Sequence, residues 1–125
     1  MKILLVDDSK MMRNIQKKVL DGLGGVEYAE AGDGVEALKI LASTTGGFQL
    51  ILIDWNMPNM DGITLVRQIR TTDKKTPLIM VTTEAEKSRI MEALKAGVNN
   101  YALKPFTPEA LLEKVKQTLT PKAAA

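Results

Sequence analysis

Three unbroken apolar runs punctuate the chain: Ile3-Leu4-Leu5-Val6, Leu50-Ile51-Leu52-Ile53 and Leu78-Ile79-Met80-Val81. Short, continuous, branched-rich runs of this kind predict strands buried on both faces of a parallel sheet. Two weaker strand patterns cover Val26 to Ala31 and Tyr101-Ala102-Leu103. Between them the apolar spacing changes to three and four, the helical period. Met12, Ile15, Val19 and Leu23 mark a first helix, stopped by Gly24-Gly25. Val35, Leu38 and Leu41 mark a second, and Ile63, Val66 and Ile69 a third. Ile90 and Leu94 mark a fourth, closed by Gly97. The fifth opens on Thr107 as cap, Pro108 at the first helical position and Glu109 in the first turn. It continues through Leu111, Leu112, Val115 and Leu119.

Strand then helix, five times over, predicts an α/β fold with a parallel sheet and helices on both faces. One such unit accounts for residues 1–120 and leaves a short tail, 121–125. After the fifth helix the chain is nearly exhausted, so no effector or DNA-binding domain is expected.

Composition narrows the chemistry more than the class. No apolar run approaches the ~18 residues of a membrane span. The apolar start is too short for a signal peptide and lacks a small-residue cleavage site, so a cytoplasmic location is expected. Seventeen basic and fifteen acidic residues are nearly balanced and scattered, which argues against nucleic acid as a partner. There is no cysteine, so disulfides and thiolate chemistry are excluded. There is also no histidine, which removes the commonest general base and the commonest transition-metal ligand. Any metal must be held by oxygen, and any phosphohistidine must come from a partner.

Ligands of open α/β sheets bind at the carboxyl ends of the strands. The first strand runs into Asp7-Asp8, the third ends in Asp54, the fourth in Thr82-Thr83 and the fifth in Lys104-Pro105. Singly these residues have ordinary readings: Asp8 or Ser9 as a helix cap, Asp54 as a turn residue, Lys104 as a solvated charge. Together they bring three carboxylates to one edge, where mutual repulsion calls for protonation or a cation. With only oxygen donors to offer, the natural cation is Mg²⁺. Mg²⁺ and Lys104 would neutralise the three carboxylates. An edge so neutralised suits phosphoryl transfer, which depends on positioning and charge stabilisation. An aspartate carboxylate can itself be the nucleophile.

Asp7-Asp8, Asp54, Thr82 and Lys104-Pro105-Phe106, at these spacings, resemble the receiver domain of two-component response regulators over about residues 2 to 119. The stretches Asp54-Trp55-Asn56-Met57-Pro58-Asn59-Met60-Asp61-Gly62 and Lys104-Pro105-Phe106-Thr107 resemble its single-domain chemotaxis regulators in particular. The resemblance implies a doubly wound, flavodoxin-like sheet of order 2-1-3-4-5 flanked by five helices. It implies Asp54 as phospho-acceptor, with Asp7, Asp8, Asp54 and the backbone carbonyl of Asn56 holding Mg²⁺. Lys104 would pair with the acceptor and then with the phosphoryl oxygens. Thr82 would move to hydrogen-bond the phosphoryl group, and Tyr101 would turn inward behind it. Lys104-Pro105 would be a cis peptide, a state that proline makes accessible.

The implied partners are a CheA-like chemotaxis histidine kinase, a flagellar motor switch protein or archaeal adaptor, and a phosphatase, with the chain itself a monomer. Its role would be that of a signalling switch and not of a turnover enzyme; the alternative within the family is a single-domain phosphorelay intermediate. Thr83 departs from the small residue usual after Thr82, which bears on the lifetime of the phosphorylated state. Two other classes fit poorly. Phosphatases of the haloacid dehalogenase type carry an acid two residues beyond the nucleophile, where this chain has Asn56 after Asp54 and Ser9 after Asp7. An FMN-binding flavodoxin needs a Ser/Thr/Gly-rich phosphate loop, where this chain has Asp7-Asp8-Ser9-Lys10.

Overall fold

A computed structural model describes residues 1–119; the tail expected at 121–125 lies outside the described residues. Five parallel strands, β1 (Lys2–Val6), β2 (Glu27–Ala31), β3 (Leu50–Ile53), β4 (Leu78–Thr82) and β5 (Asn100–Leu103), form one sheet of order β2-β1-β3-β4-β5. The helices are α1 (Lys10–Leu20), α2 (Gly34–Ser43), α3 (Gly62–Thr72), α4 (Lys87–Ala96) and α5 (Pro108–Leu119). The expected class and strand order are both observed.

The undifferentiated apolar runs resolve into two faces with a period of two. Leu4, Val6, Ile51, Ile53, Leu78 and Met80 pack against α2, α3 and α4 through Ala37, Val66, Ile69 and Ala93. Ile3, Leu5, Leu50, Leu52, Ile79 and Val81 pack against Val19 and Leu20 of α1 and Leu111 and Val115 of α5. Each fully buried aliphatic side chain contributes about 1.5–3 kcal/mol of hydrophobic stabilisation. That is why β1, β3 and β4 could be read from runs alone.

The helical spacings were less faithful. Ile15, Val35 and Leu94 are 40%, 40% and 47% exposed. The buried positions of α2 and α4 are the small ones, Gly34, Ala37 and Ala93. The larger apolar residues are left at the rim. Helix α1 ends at Leu20, and the expected last turn is a separate 3₁₀ turn, Asp21–Leu23. Four helices start on a capping side chain. Met12 N donates to Ser9 Oγ (3.1 Å), Glu36 N to Asp33 Oδ1 (2.8 Å), Thr64 N to Asp61 Oδ1 (3.0 Å) and Ala110 N to Thr107 Oγ1 (3.1 Å).

At the opposite end, Arg70 of α3 stitches the turn between α4 and β5. It donates to Gly97 O (3.0 Å), Asp73 O (3.0 Å) and Asn99 Oδ1 (3.1 Å). Among the described residues, no helix is long and apolar enough to cross a membrane.

Candidate functional site

Neighbouring strands β1 and β3 end together, in the register Val6↔Ile53, so the residues that follow them meet at one edge. Asp54 N donates to Val6 O at 2.9 Å, and Asp7 N to Ala31 O at 3.0 Å; the sheet pattern thus continues past the strands into both aspartates. Asp7 is buried, Asp54 is 8% exposed and Asp8 lies open to solvent. Ligand oxygens of the three lie within 4.8 Å of one another. Repulsion at that range calls for protonation or for positive charge close by.

Lys104 supplies part of it. Its ammonium lies 2.7 Å from Asp7 Oδ2 and 3.3 Å from Asp54 Oδ2. The side chain is brought there from a distant part of the chain by β5, with Lys104 N bonded to Thr82 O at 2.9 Å and a cis Lys104-Pro105 peptide after it. Burial pushes the Asp54 carboxyl above the ordinary carboxylate value. Lys104 opposes that rise, Asp7 adds to it, and the Thr82 hydroxyl again lowers it. The donor set is hard oxygen throughout, and Lys104 leaves the three carboxylates short of neutral. These residues therefore fit a divalent, oxygen-seeking cation such as Mg²⁺.

Every side chain singled out from the sequence lies in this region, in differing roles. Thr82 is wholly buried at the end of β4, and Thr83 is exposed beside it. Tyr101 is already inward: it is 7% exposed and its hydroxyl donates to Glu84 O at 2.7 Å. Burial, aided by Glu84, pushes its phenol up to about 12. Asn56 is exposed on the loop after Asp54. That loop returns to the end of β3 through Gly62, whose N–H donates to Trp55 O at 2.8 Å. A Cβ on Gly62 would fall 2.1 Å from Asp54 O, so only glycine allows this approach.

Sequence reasoning missed two supporting cations. Arg13 of α1 donates to Asp7 O and, at 2.9 Å, to Glu30 on β2, bracing the corner that carries the acidic pair. Arg89 of α4 lies over the Trp55 ring, 5.2 Å from its centroid, linking α4 to the residue after Asp54. Each is the single arginine of a helix whose other basic residues are lysines, and nothing in its spacing sets it apart.

The model of the response regulator receiver domain matches residues 3–116. The chain belongs to this family. The receiver is 49% identical to the chemotaxis protein CheY of Pseudomonas aeruginosa, covering 94% of each chain. It is 48% identical to a CheY homologue of Campylobacter jejuni, covering 95% of this receiver and 92% of that protein. Among solved structures, the CheX–CheY–BeF₃–Mg²⁺ complex from Borrelia burgdorferi aligns at a TM-score of 0.90 and 25% identity. That match covers 96% of this receiver and 90% of the matched chain.

Proposed function

We propose that this receiver takes a phosphoryl group onto Asp54 from the phosphohistidine of a CheA-like chemotaxis kinase, with Mg²⁺, and signals by changing what its surface binds. The observation that carries the reading is the meeting of Asp7, Asp8 and Asp54 within 4.8 Å under a lysine bound to two of them. Asp7, Asp8, Asp54 and the Asn56 carbonyl are the groups that would hold the cation. When bound, it supplies charge neutralisation and polarises the phosphoryl oxygens.

An Asp54 oxygen forms the new P–O bond as the donor's P–N bond breaks, and the electron pair stays on the imidazole, which takes up a proton. Lys104, already between Asp7 and Asp54, follows the charge from carboxylate to phosphoryl oxygens while keeping Asp7 as its partner. Thr82 offers a neutral hydroxyl donor on the other side. Beyond its own phosphorylation and dephosphorylation the receiver needs no turnover chemistry, and it would act in the cytoplasm as a monomer.

Output leaves through the face built by α4, β5 and α5. A groove there of about 650 Å³ is lined by Ile90, Leu94, Tyr101, Leu103 and Phe106. Leu94 and Leu103 are 47% and 42% exposed, an apolar surface suited to a partner. A motor switch protein or an adaptor serving the same end fits the chemotaxis relatives, and the Borrelia complex suggests a CheX-like phosphatase as a second partner. The test is intact-mass measurement with an acyl-phosphate donor and Mg²⁺. One phosphoryl group is expected on the wild type and none on Asp54→Asn; full labelling of that variant sinks the assignment.

A further inference from the structure

The loop that follows Asp54 is held at its tip by a residue far away in sequence. Asn59 sits in the left-handed backbone region, at φ 67°, a conformation asparagine tolerates better than most side chains. Its Nδ2 donates to Asp33 Oδ2 at 2.7 Å. The other oxygen of that carboxylate, Oδ1, accepts from Glu36 N at 2.8 Å and so caps α2. One carboxylate therefore serves both a helix start and a loop tip. The two hydrogen bonds, Glu36 N first and Asn59 second, hold the Asp33 carboxyl below its ordinary value.

Packing follows the same line. Met60 lies against Gly34, the first residue of α2, where a Cβ would come within 2.7 Å of Met60 Cγ. Met60 N closes the loop's own turn by donating to Pro58 O at 2.7 Å. Residues 56–60 are thus pinned at the base by Gly62 against Trp55, and at the tip by Asp33 and Gly34.

We propose that Asp33 is a positioning residue for the cation site: its bond to Asn59 fixes the loop whose Asn56 peptide completes the ligand set. The inference rests on the assignment of Asp7, Asp8, Asp54 and the Asn56 carbonyl to Mg²⁺. Without the tether the cation must order the loop as it binds, and its affinity falls accordingly. A bare charge effect of Asp33 is a separate matter, since salt screens a carboxylate that reaches solvent.

Two single variants and their combination separate these contributions. Asp33→Ser keeps a capping oxygen for α2 but cannot reach Asn59. Asn59→Gly keeps the positive φ and the Asp33 charge but removes the bond. Mg²⁺ affinity is read from Trp55 fluorescence, and loop order from hydrogen exchange of the Met60 amide in metal-free protein. Each single variant is expected to weaken Mg²⁺ about tenfold, the lower end of what outer-shell partners contribute. The double variant should lose no more than the worse single one. Met60 exchange should accelerate in all three, while Glu36 exchange in Asp33→Ser stays near that of the wild type. Single variants that bind Mg²⁺ within about twofold of wild type, or losses that simply add in the double variant, overturn the proposal. A wild type that shows no response to Mg²⁺ overturns the cation assignment itself, which is a different failure and is recognised as such.

Discussion

The Lys104 ammonium stands 2.7 Å from the Asp7 carboxylate, nearer than to Asp54. Asp7 is thus the nearer partner of the lysine. Arginine preserves the charge but replaces a compact ammonium with a broad planar fork that cannot occupy the same gap. In Lys104→Arg, labelling of Asp54 by an acyl phosphate is expected to slow by about tenfold or more. An intact-mass time course matching the wild type would reduce Lys104 to a bystander.

Asp8 is the exposed member of the acidic group, so it can be removed without opening the core. Trp55 is 4% exposed and directly follows Asp54, which makes its indole a reporter of charge at the site. Addition of Mg²⁺ is expected to change Trp55 fluorescence, and Asp8→Ala to weaken the apparent affinity by about tenfold or more. An unaltered titration in Asp8→Ala would remove that residue from the ligand set.

Tyr101 gives a pH signature and an output test. The folded protein keeps its phenol neutral up to about 12, against an ordinary value of 10.0. Its stabilising contribution is therefore intact below pH 10 and is lost as pH rises from about 10 through about 12. The stability difference between wild type and Tyr101→Phe, measured in urea across that window, should shrink as pH rises. The partner test uses Tyr101→Ala, which should still take phosphate on Asp54 yet lose most of the phosphorylation-dependent gain in partner binding. Equal gains in both proteins would end the role of Tyr101 in output.

Arg70 makes three hydrogen bonds, to Gly97 O and Asn99 Oδ1 in the turn before β5 and to Asp73 O at the end of its own helix. Gly97 gives it room, since a Cβ there would lie 2.8 Å from Arg70 Cγ and φ is 121°. Arg70→Ala is expected to cost about 2–3 kcal/mol of unfolding free energy, with no change in Mg²⁺ affinity. A loss below about 0.5 kcal/mol in urea denaturation would show that the turn holds itself.

The central strands were legible because burial on both faces leaves an unbroken apolar run, as in Leu50–Ile53. The edge strands were blurred for the converse reason. Glu27 and Glu30 sit in β2, where one side reaches solvent and salt partners such as Arg13 and Lys17. The helices misled where small residues face the sheet, since Ala93 carries no periodic signal while exposed Leu94 does. The site was legible because topology gathers strand ends, so Asp7, Asp54, Thr82 and Lys104 needed only to be read after their strands. Asp33 and Arg13 were not, because their contribution passes through a hydrogen bond to another segment and leaves no motif of its own.

Gly62 carries a mechanical consequence. With its Cα packed against the Asp54 carbonyl and its N–H bound to Trp55, it ties the main chain at Asp54 to the start of α3. Residues 83–86 connect β4 to α4 outside helix and strand, and there Glu84 contributes a donor for Thr82 and an acceptor for Tyr101. A side chain at position 62 would have to displace the main chain at Asp54 and Trp55, so this one glycine sets the distance between α3 and the end of β3.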